Sequence, residues 1–247
     1  KQLISQMLNI VIPMAGGGRR FVKEGFSKPK PLIDINGKTM IQLVIENLKP
    51  SIPHRFIFIV QKEHIKKYTV NKLLESLSPD CIIIPIEEIT QGAACSVLKS
   101  KKYINNDQPL MIANSDQWVN ISINDYLDFC QNSNVEGQIM TMFSNDPKWS
   151  YINFDNYGNI IDVVEKIVVS NQATVGIYNF SRGEIFCKYA EQMIIDKNMS
   201  KGEYYVAPVY KYMIQNKQRI ELYNIDKDGQ NMYGLGTPDD LKYFIDN

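Results

Sequence analysis

Over its first two-thirds the chain alternates short, continuous apolar runs with longer amphipathic stretches. Asn9–Pro13, Arg55–Gln61, Cys81–Ile86 and Leu110–Ala113 read as strands. Between the first two, Thr39–Leu48 carries apolar residues at 40, 41, 43, 44, 45 and 48, which is the spacing of one helix face. Lys62–Leu77 reads as helical with a break, and Ala93–Tyr103 and Asn124–Gln131 read as helices. Parallel strands need a crossover between them, and strands buried on both faces read as continuous apolar runs. This order therefore predicts an α/β fold: a Rossmann-like, mixed but mostly parallel sheet flanked by helices in three αβα layers.

The pattern then changes. Gln138–Phe143, Tyr151–Phe154, Ile160–Glu165 and Ala173–Phe180 read as strands without long helices between them, with a turn at Asn156-Tyr157-Gly158-Asn159. Arg182–Asp196 and Val206–Asn216 read as helices, Arg219–Tyr223 as a strand, and Pro238–Ile245 as a closing helix capped by Thr237. No Pro/Gly-rich linker interrupts this part, so it reads as an extension of the same sheet. The expectation is one domain over residues 8–247, with residues 1–7 a tail or remnant and Met7 a candidate natural start.

The chemistry concentrates after the first strand, in Ala15-Gly16-Gly17-Gly18-Arg19-Arg20-Phe21. Glycines free the backbone N–H groups to converge on phosphate oxygens. No Gly-Lys-Ser/Thr follows, so this is not a Walker loop. Phe21 stands where a dinucleotide fingerprint needs its third glycine, which argues against a nicotinamide-dependent oxidoreductase. Arg19, Arg20, Lys23, Lys28 and Lys30 then face a single acid, Glu24, across Arg19–Lys30. Pro29 and Pro31 restrict the backbone on both sides of Lys30, which suits a fixed positive charge.

Ala15-Gly16-Gly17-Gly18-Arg19-Arg20 followed by Pro29-Lys30-Pro31-Leu32 resembles the signature of the sugar-1-phosphate nucleotidylyltransferases, the NDP-sugar pyrophosphorylases. Further resemblances follow in order over roughly residues 8 to 245: Gln91-Gly92-Ala93-Ala94, Asn114-Ser115-Asp116, Glu165-Lys166, Gly176-Ile177-Tyr178 and Gly236-Thr237-Pro238. The resemblance implies transfer of a nucleotidyl group from a nucleoside triphosphate to a phosphorylated acceptor, with Mg²⁺ as cofactor. It implies catalytic roles for Arg20, Lys30 and Asp116, with Asp116 also holding the metal. It assigns the nucleotide to Ala15, Gly16, Gly17, Gly18, Arg19, Gln91 and Gly92, and the acceptor to Asn114, Glu165, Lys166 and Gly176. Two departures stand out. Arg19 replaces a small hydroxyl residue, and Gly234 stands where the family often has an aspartate as second metal ligand.

A sugar 1-phosphate is the acceptor the family implies, with a product for surface polysaccharide or capsule assembly in a bacterium. A cytidylyltransferase acting on a non-sugar phosphate, such as phosphocholine or glycerol phosphate, stays open. So does a non-catalytic nucleotide-binding module, given the two departures. No long extension follows the closing helix, which argues against the two-domain members that add an acetyltransferase. Tyr204 and Tyr205 read as core residues at a helix start, with packing on a sugar ring the alternative, and the lone histidines, His54 and His64, sit outside every motif.

Charge sets the limits on partners. Lys and Arg total 27, as do Asp and Glu, so the formal net charge is zero. That argues against a broad nucleic-acid surface and against global electrostatic attachment to membranes. Residues 1–31 nevertheless hold six of those bases and one of the acids, a local excess of +5 suited to a small polyanion. Four cysteines at 81, 95, 130 and 187 lack metal or redox spacing and read as buried free thiols. With no long apolar run and a polar N-terminus, they fit a reducing cytoplasm. Whether the protein forms a homo-oligomer is not readable from the sequence.

Overall fold

The computed structural model describes residues 6–226 and 229–247. In chain order its elements begin with β1 (Leu8–Pro13), α1 (Arg19–Lys23), β2 (Asp34–Ile35), β3 (Lys38–Thr39) and α2 (Met40–Leu48). They continue with β4 (His54–Gln61), α3 (Lys62–Tyr68), α4 (Val70–Leu77), β5 (Ile82–Ile86), α5 (Ala93–Leu98) and α6 (Lys101–Ile104). Next come β6 (Leu110–Ala113), β7 (Gln117–Val119), α7 (Ile123–Ser133), β8 (Gly137–Phe143), β9 (Ser150–Phe154), β10 (Ile160–Glu165) and β11 (Gln172–Phe180). The chain closes with α8 (Gly183–Ile195), α9 (Val209–Gln215), β12 (Ile220–Asn224), β13 (Met232–Gly234) and α10 (Pro238–Asp246).

The nine-stranded sheet has a row β5-β4-β1-β6-β11-β8-β12, in which β11 runs antiparallel to the other strands, and it is extended by the antiparallel β9–β10 hairpin. β11 pairs with β8 on one edge and is long enough to serve two further partners on the other. Its second half pairs with β6, and its first half meets the β9–β10 hairpin. Between those halves the register shifts, around Gly176.

Strand alternation sorts the core into two layers. Ile10, Ile12, Phe56, Phe58 and Val60 face α2, α4 and α7 through Ile41, Val44, Leu48, Leu74 and Tyr126. Val11, Ile57, Ile59 and Ile112 face the other way, onto Val97, Phe186, Ala190 and Met213 of α5, α8 and α9. Both faces are covered, which is why the central stretches of the parallel strands are continuously apolar; Asn9 of β1 is the buried exception, accepting from Arg55 Nη2 at 3.0 Å. Each such side chain contributes about 1.5–3 kcal/mol on burial. A third cluster, with Phe21, Ile33, Met40, Leu235 and Leu241, ties α1, α2 and α10 together beneath the glycine loop.

The break expected in the 62–77 helix falls at Thr69, whose φ is 49°. Two other expectations need correction. The 93–103 helix divides at Lys99-Ser100. The helix expected from Val206 starts at Val209, because Pro208 disfavours helical backbone at the residue before it. Thr237 does cap α10, accepting the Asp240 N–H at 3.1 Å. The expected tail over residues 1–7 lies largely outside the described residues.

Candidate active site

The carboxyl ends of parallel strands are where open α/β sheets place ligands. Here β1 ends in the glycine loop and β6 ends in Asn114-Ser115-Asp116. β4 supports the loop from the side, where Gln61 Nε2 donates to the Ala15 carbonyl at 2.8 Å and to that of Gly16 at 3.1 Å. Gly18 sits at φ 57° at the start of α1, and a Cβ there would stand 3.3 Å from the Lys30 Cβ. The loop is thereby pressed against Lys30, which lies in a single turn of 3-10 helix, Lys30–Leu32. Its ammonium donates to Asp116 Oδ2 at 2.5 Å, so strands β1 and β6 present one cation and one anion in direct contact.

Across the cleft stands a second wall, built from β9, β10 and the segment before α9. Lys166 has φ 58°, which turns the chain at the end of β10, and its Nζ donates to the Tyr205 hydroxyl at 2.9 Å. That hydroxyl donates in turn to Glu203 Oε2 at 2.7 Å. Burial, and then the Glu203 contact, push the Tyr205 phenol above its ordinary range. Glu165 is buried and accepts a hydrogen bond from Ser150 Oγ. Burial raises its carboxyl above the usual glutamate value, and the Ser150 bond and the charge of Lys166 oppose that shift. Asn114 links the two walls, since its N–H donates to the Gly176 carbonyl at 2.9 Å where β11 changes register.

Between the walls lies one cavity of about 830 Å³. Ala15, Gly16, Gly18, Arg20, Lys30, Gly92, Asn114, Asp116, Glu165, Lys166 and Gly176 all line it. Arg20 makes no ion pair among the described residues, though its charge reaches Tyr205 on the far wall.

The family pattern for nucleotidyl transferases matches residues 10–242 of this chain. The chain belongs to the nucleotidyl transferase family. It is 25% identical over 255 residues to the bifunctional protein GlmU of Thermodesulfovibrio yellowstonii, covering 95% of this chain and 50% of that protein. It is 25% identical over 181 residues to a mannose-1-phosphate guanylyltransferase catalytic subunit beta of Dictyostelium discoideum, covering 70% of this chain and 50% of that one. The chain thus spans about half the length of these curated relatives. In fold it is similar to a nucleoside-diphosphate-sugar pyrophosphorylase from Vibrio cholerae RC9, with a TM-score of 0.80 at 23% identity, over 96% of this chain and 100% of that one. It is likewise similar to a UDP-glucose pyrophosphorylase solved with UDP-glucose, with a TM-score of 0.77 at 16% identity over 97% of both chains.

Three of the residues expected at the nucleotide lie apart from the lining. Gly17, Arg19 and Gln91 are exposed and do not line the cavity. Successive helical residues point about 100° apart, so α1 can aim only one of its two arginines inward, and that one is Arg20. The Gln91 backbone carbonyl instead accepts the Tyr204 N–H at 2.8 Å. Gly92, beside it, has φ 126°, and a Cβ would stand 2.5 Å from the Tyr204 carbonyl oxygen.

Other lining residues carry no motif. Tyr204 is buried as the core reading held, but Tyr205 lines the cavity. Lys148, Ser150, Lys201, Glu203 and Asp240 line it as well, and only their place in the fold gathers them. Neither histidine lines the cavity, and His54 Nδ1 contacts the Ile52 carbonyl at 2.8 Å. All four cysteines are free, but only Cys187 is buried as expected, the other three being half-buried. Desolvation pushes the thiols of Cys130 and Cys187 up to about 12, so both are inert at neutral pH. Among the described residues no group of three or more His, Cys, Asp or Glu side chains is placed to hold a metal. No helix there is long and apolar enough to cross a membrane.

Proposed function

We propose that this chain joins a nucleoside triphosphate to a sugar 1-phosphate, giving a nucleotide sugar and pyrophosphate. The observation that carries this reading is one cavity with cations on both walls, each beside an acid: Lys30 next to Asp116, and Lys166 next to Glu165 and joined through Tyr205 to Glu203. The glycine loop, Arg20 and Lys30 stand on one side, and Lys166 with Lys201 on the other. Two phosphate-bearing substrates therefore fit head to head.

In the reaction an anionic oxygen of the acceptor phosphate attacks the α-phosphorus. A new P–O bond forms there, the bond from the α-phosphorus to the bridging oxygen breaks, and pyrophosphate leaves with that electron pair. The nucleophile is already ionised, so no general base is required, and positioning and charge neutralisation do the work. Arg20 neutralises the departing pyrophosphate. Lys30, held at the α-phosphate end by its two prolines, exchanges Asp116 for a phosphate oxygen. Asp116 is an oxygen donor beside that phosphate, which suits a hard cation with few protein ligands. A bound Mg²⁺ would supply charge neutralisation on the phosphate oxygens. Lys166 holds the acceptor phosphate, and Glu165 accepts hydrogen bonds from acceptor hydroxyls. A role in surface polysaccharide or capsule assembly is the setting proposed for the product.

The test is a matrix of nucleoside triphosphates against phosphorylated acceptors, sugar and non-sugar, read as pyrophosphate release. A sugar 1-phosphate is expected to give the highest turnover, with Asp116→Ala and Arg20→Ala losing it. Full activity in both variants would refute the site. Turnover only with phosphocholine or glycerol phosphate would refute the acceptor class.

A further inference from the structure

The segment from Gly234 to Gly236 passes the cavity with both glycines facing inward. Leu235 between them is fully buried among Phe21, Met40 and Leu241 on the opposite side. Each glycine faces a carboxylate. A Cβ at Gly236 would stand 2.8 Å from Asp116 Oδ2, and one at Gly234 would stand 3.5 Å from Asp240 Oδ2. The first distance is an overlap, so Gly236 makes room for Asp116. The second is ordinary contact, so nothing steric requires glycine at 234.

We infer that Asp240, from the first turn of α10, supplies the second carboxylate of the cation site in place of a side chain at position 234. The inference rests on the nucleotidyl transfer reading above. The Thr237 cap and Pro238 fix the turn that carries Asp240. Its carboxylate holds Lys148 Nζ at 3.2 Å, as Asp116 holds Lys30 at 2.5 Å. Both carboxylates thus carry a lysine counter-charge that a cation would replace, freeing two ammoniums for phosphate oxygens. Two carboxylates with phosphate oxygens and water are a usual donor set for Mg²⁺. Since no larger cluster exists among the described residues, cation binding should depend on the nucleotide. The nearby Asp226 is otherwise engaged, accepting the N–H groups of Phe143 at 3.1 Å and Asn231 at 2.9 Å. Asp228 lies outside the described residues.

The test uses Mn²⁺ as probe, counted by electron paramagnetic resonance. It is added with whichever α,β-methylene analogue of ATP, GTP, CTP, UTP or dTTP binds the full chain most tightly. Asp240→Asn is expected to weaken nucleotide-dependent Mn²⁺ binding by about tenfold or more. Gly234→Asp in the Asp240→Asn background is expected to restore it, since position 234 tolerates a side chain. Mn²⁺ binding unchanged in Asp240→Asn but lost in Asp116→Asn would overturn this inference alone. So would a loss in Asp240→Asn that Gly234→Asp fails to restore. A wild-type chain that binds the analogue but no Mn²⁺ would overturn the cation site itself, and one that binds neither would overturn the nucleotidyl transfer reading.

Discussion

The two walls of the cavity are built on different principles. The wall after β1 draws its cations from one continuous segment; among the described residues Arg20 has no ion-pair partner, and Lys30 has a single replaceable one, Asp116 from the turn after β6. The opposite wall is assembled from three separate segments. Its charges are already joined in a chain from Lys166 through Tyr205 to Glu203, with Glu165 anchored on Ser150. Charge that must follow a shifting phosphate benefits from freedom, whereas recognition of a fixed set of hydroxyls benefits from preorganisation. The first wall should therefore govern turnover and the second should govern acceptor affinity.

The largest effect should come from the first wall. Arg20→Ala and Asp116→Asn are each expected to lower kcat by about 100- to 1,000-fold with little change in acceptor KM, measured by steady-state pyrophosphate release. A rise in acceptor KM with kcat preserved would erase the contrast between the walls. On the second wall, Lys166→Met should raise acceptor KM by about tenfold or more, as expected when a charged hydrogen bond is lost. Tyr205→Phe should do the same more weakly, because it frees Lys166 without removing its charge.

Glu165 sharpens the comparison through pH. Its raised pKa means that it protonates before an ordinary glutamate as pH falls, so acceptor affinity should weaken on the acid side of the profile. The same shift disfavours the ionised folded state. Relative to Glu165→Gln, the wild-type chain should lose stability as pH rises through the interval between the ordinary and the raised value. Thermal melts of both proteins across that range check the sign. The smallest effect lies outside both walls. Thr237→Ala removes the α10 cap at a cost of about 1 kcal/mol, a fall of roughly 2–4 °C in Tm.

This contrast also explains what the sequence could show. The strands on both sides of β1 were legible because burial on both faces leaves Ile10, Ile57 and Ile112 in unbroken apolar runs. The glycine loop and the 29–31 Pro-Lys-Pro unit were legible because the residues that act together are neighbours in sequence. Tyr205, Ser150 and Lys148 were not, since each enters the site only after β9 and β10 fold against β11. Arg19 and Arg20 are indistinguishable as letters, and only the turn of α1 selects one. Asp240 reads simply as a helix-start acid until Gly234 brings the cavity to it.

Attack of an acceptor phosphate on the α-phosphorus within this cavity can be followed by isotope tracing. An acceptor carrying oxygen-18 in its phosphate would be incubated with an active nucleoside triphosphate, and both products read by mass spectrometry. All of the label is expected to stay in the nucleotide-diphospho product, with none reaching pyrophosphate. Label in pyrophosphate, or tight nucleotide binding with no product across the whole acceptor panel, would contradict it.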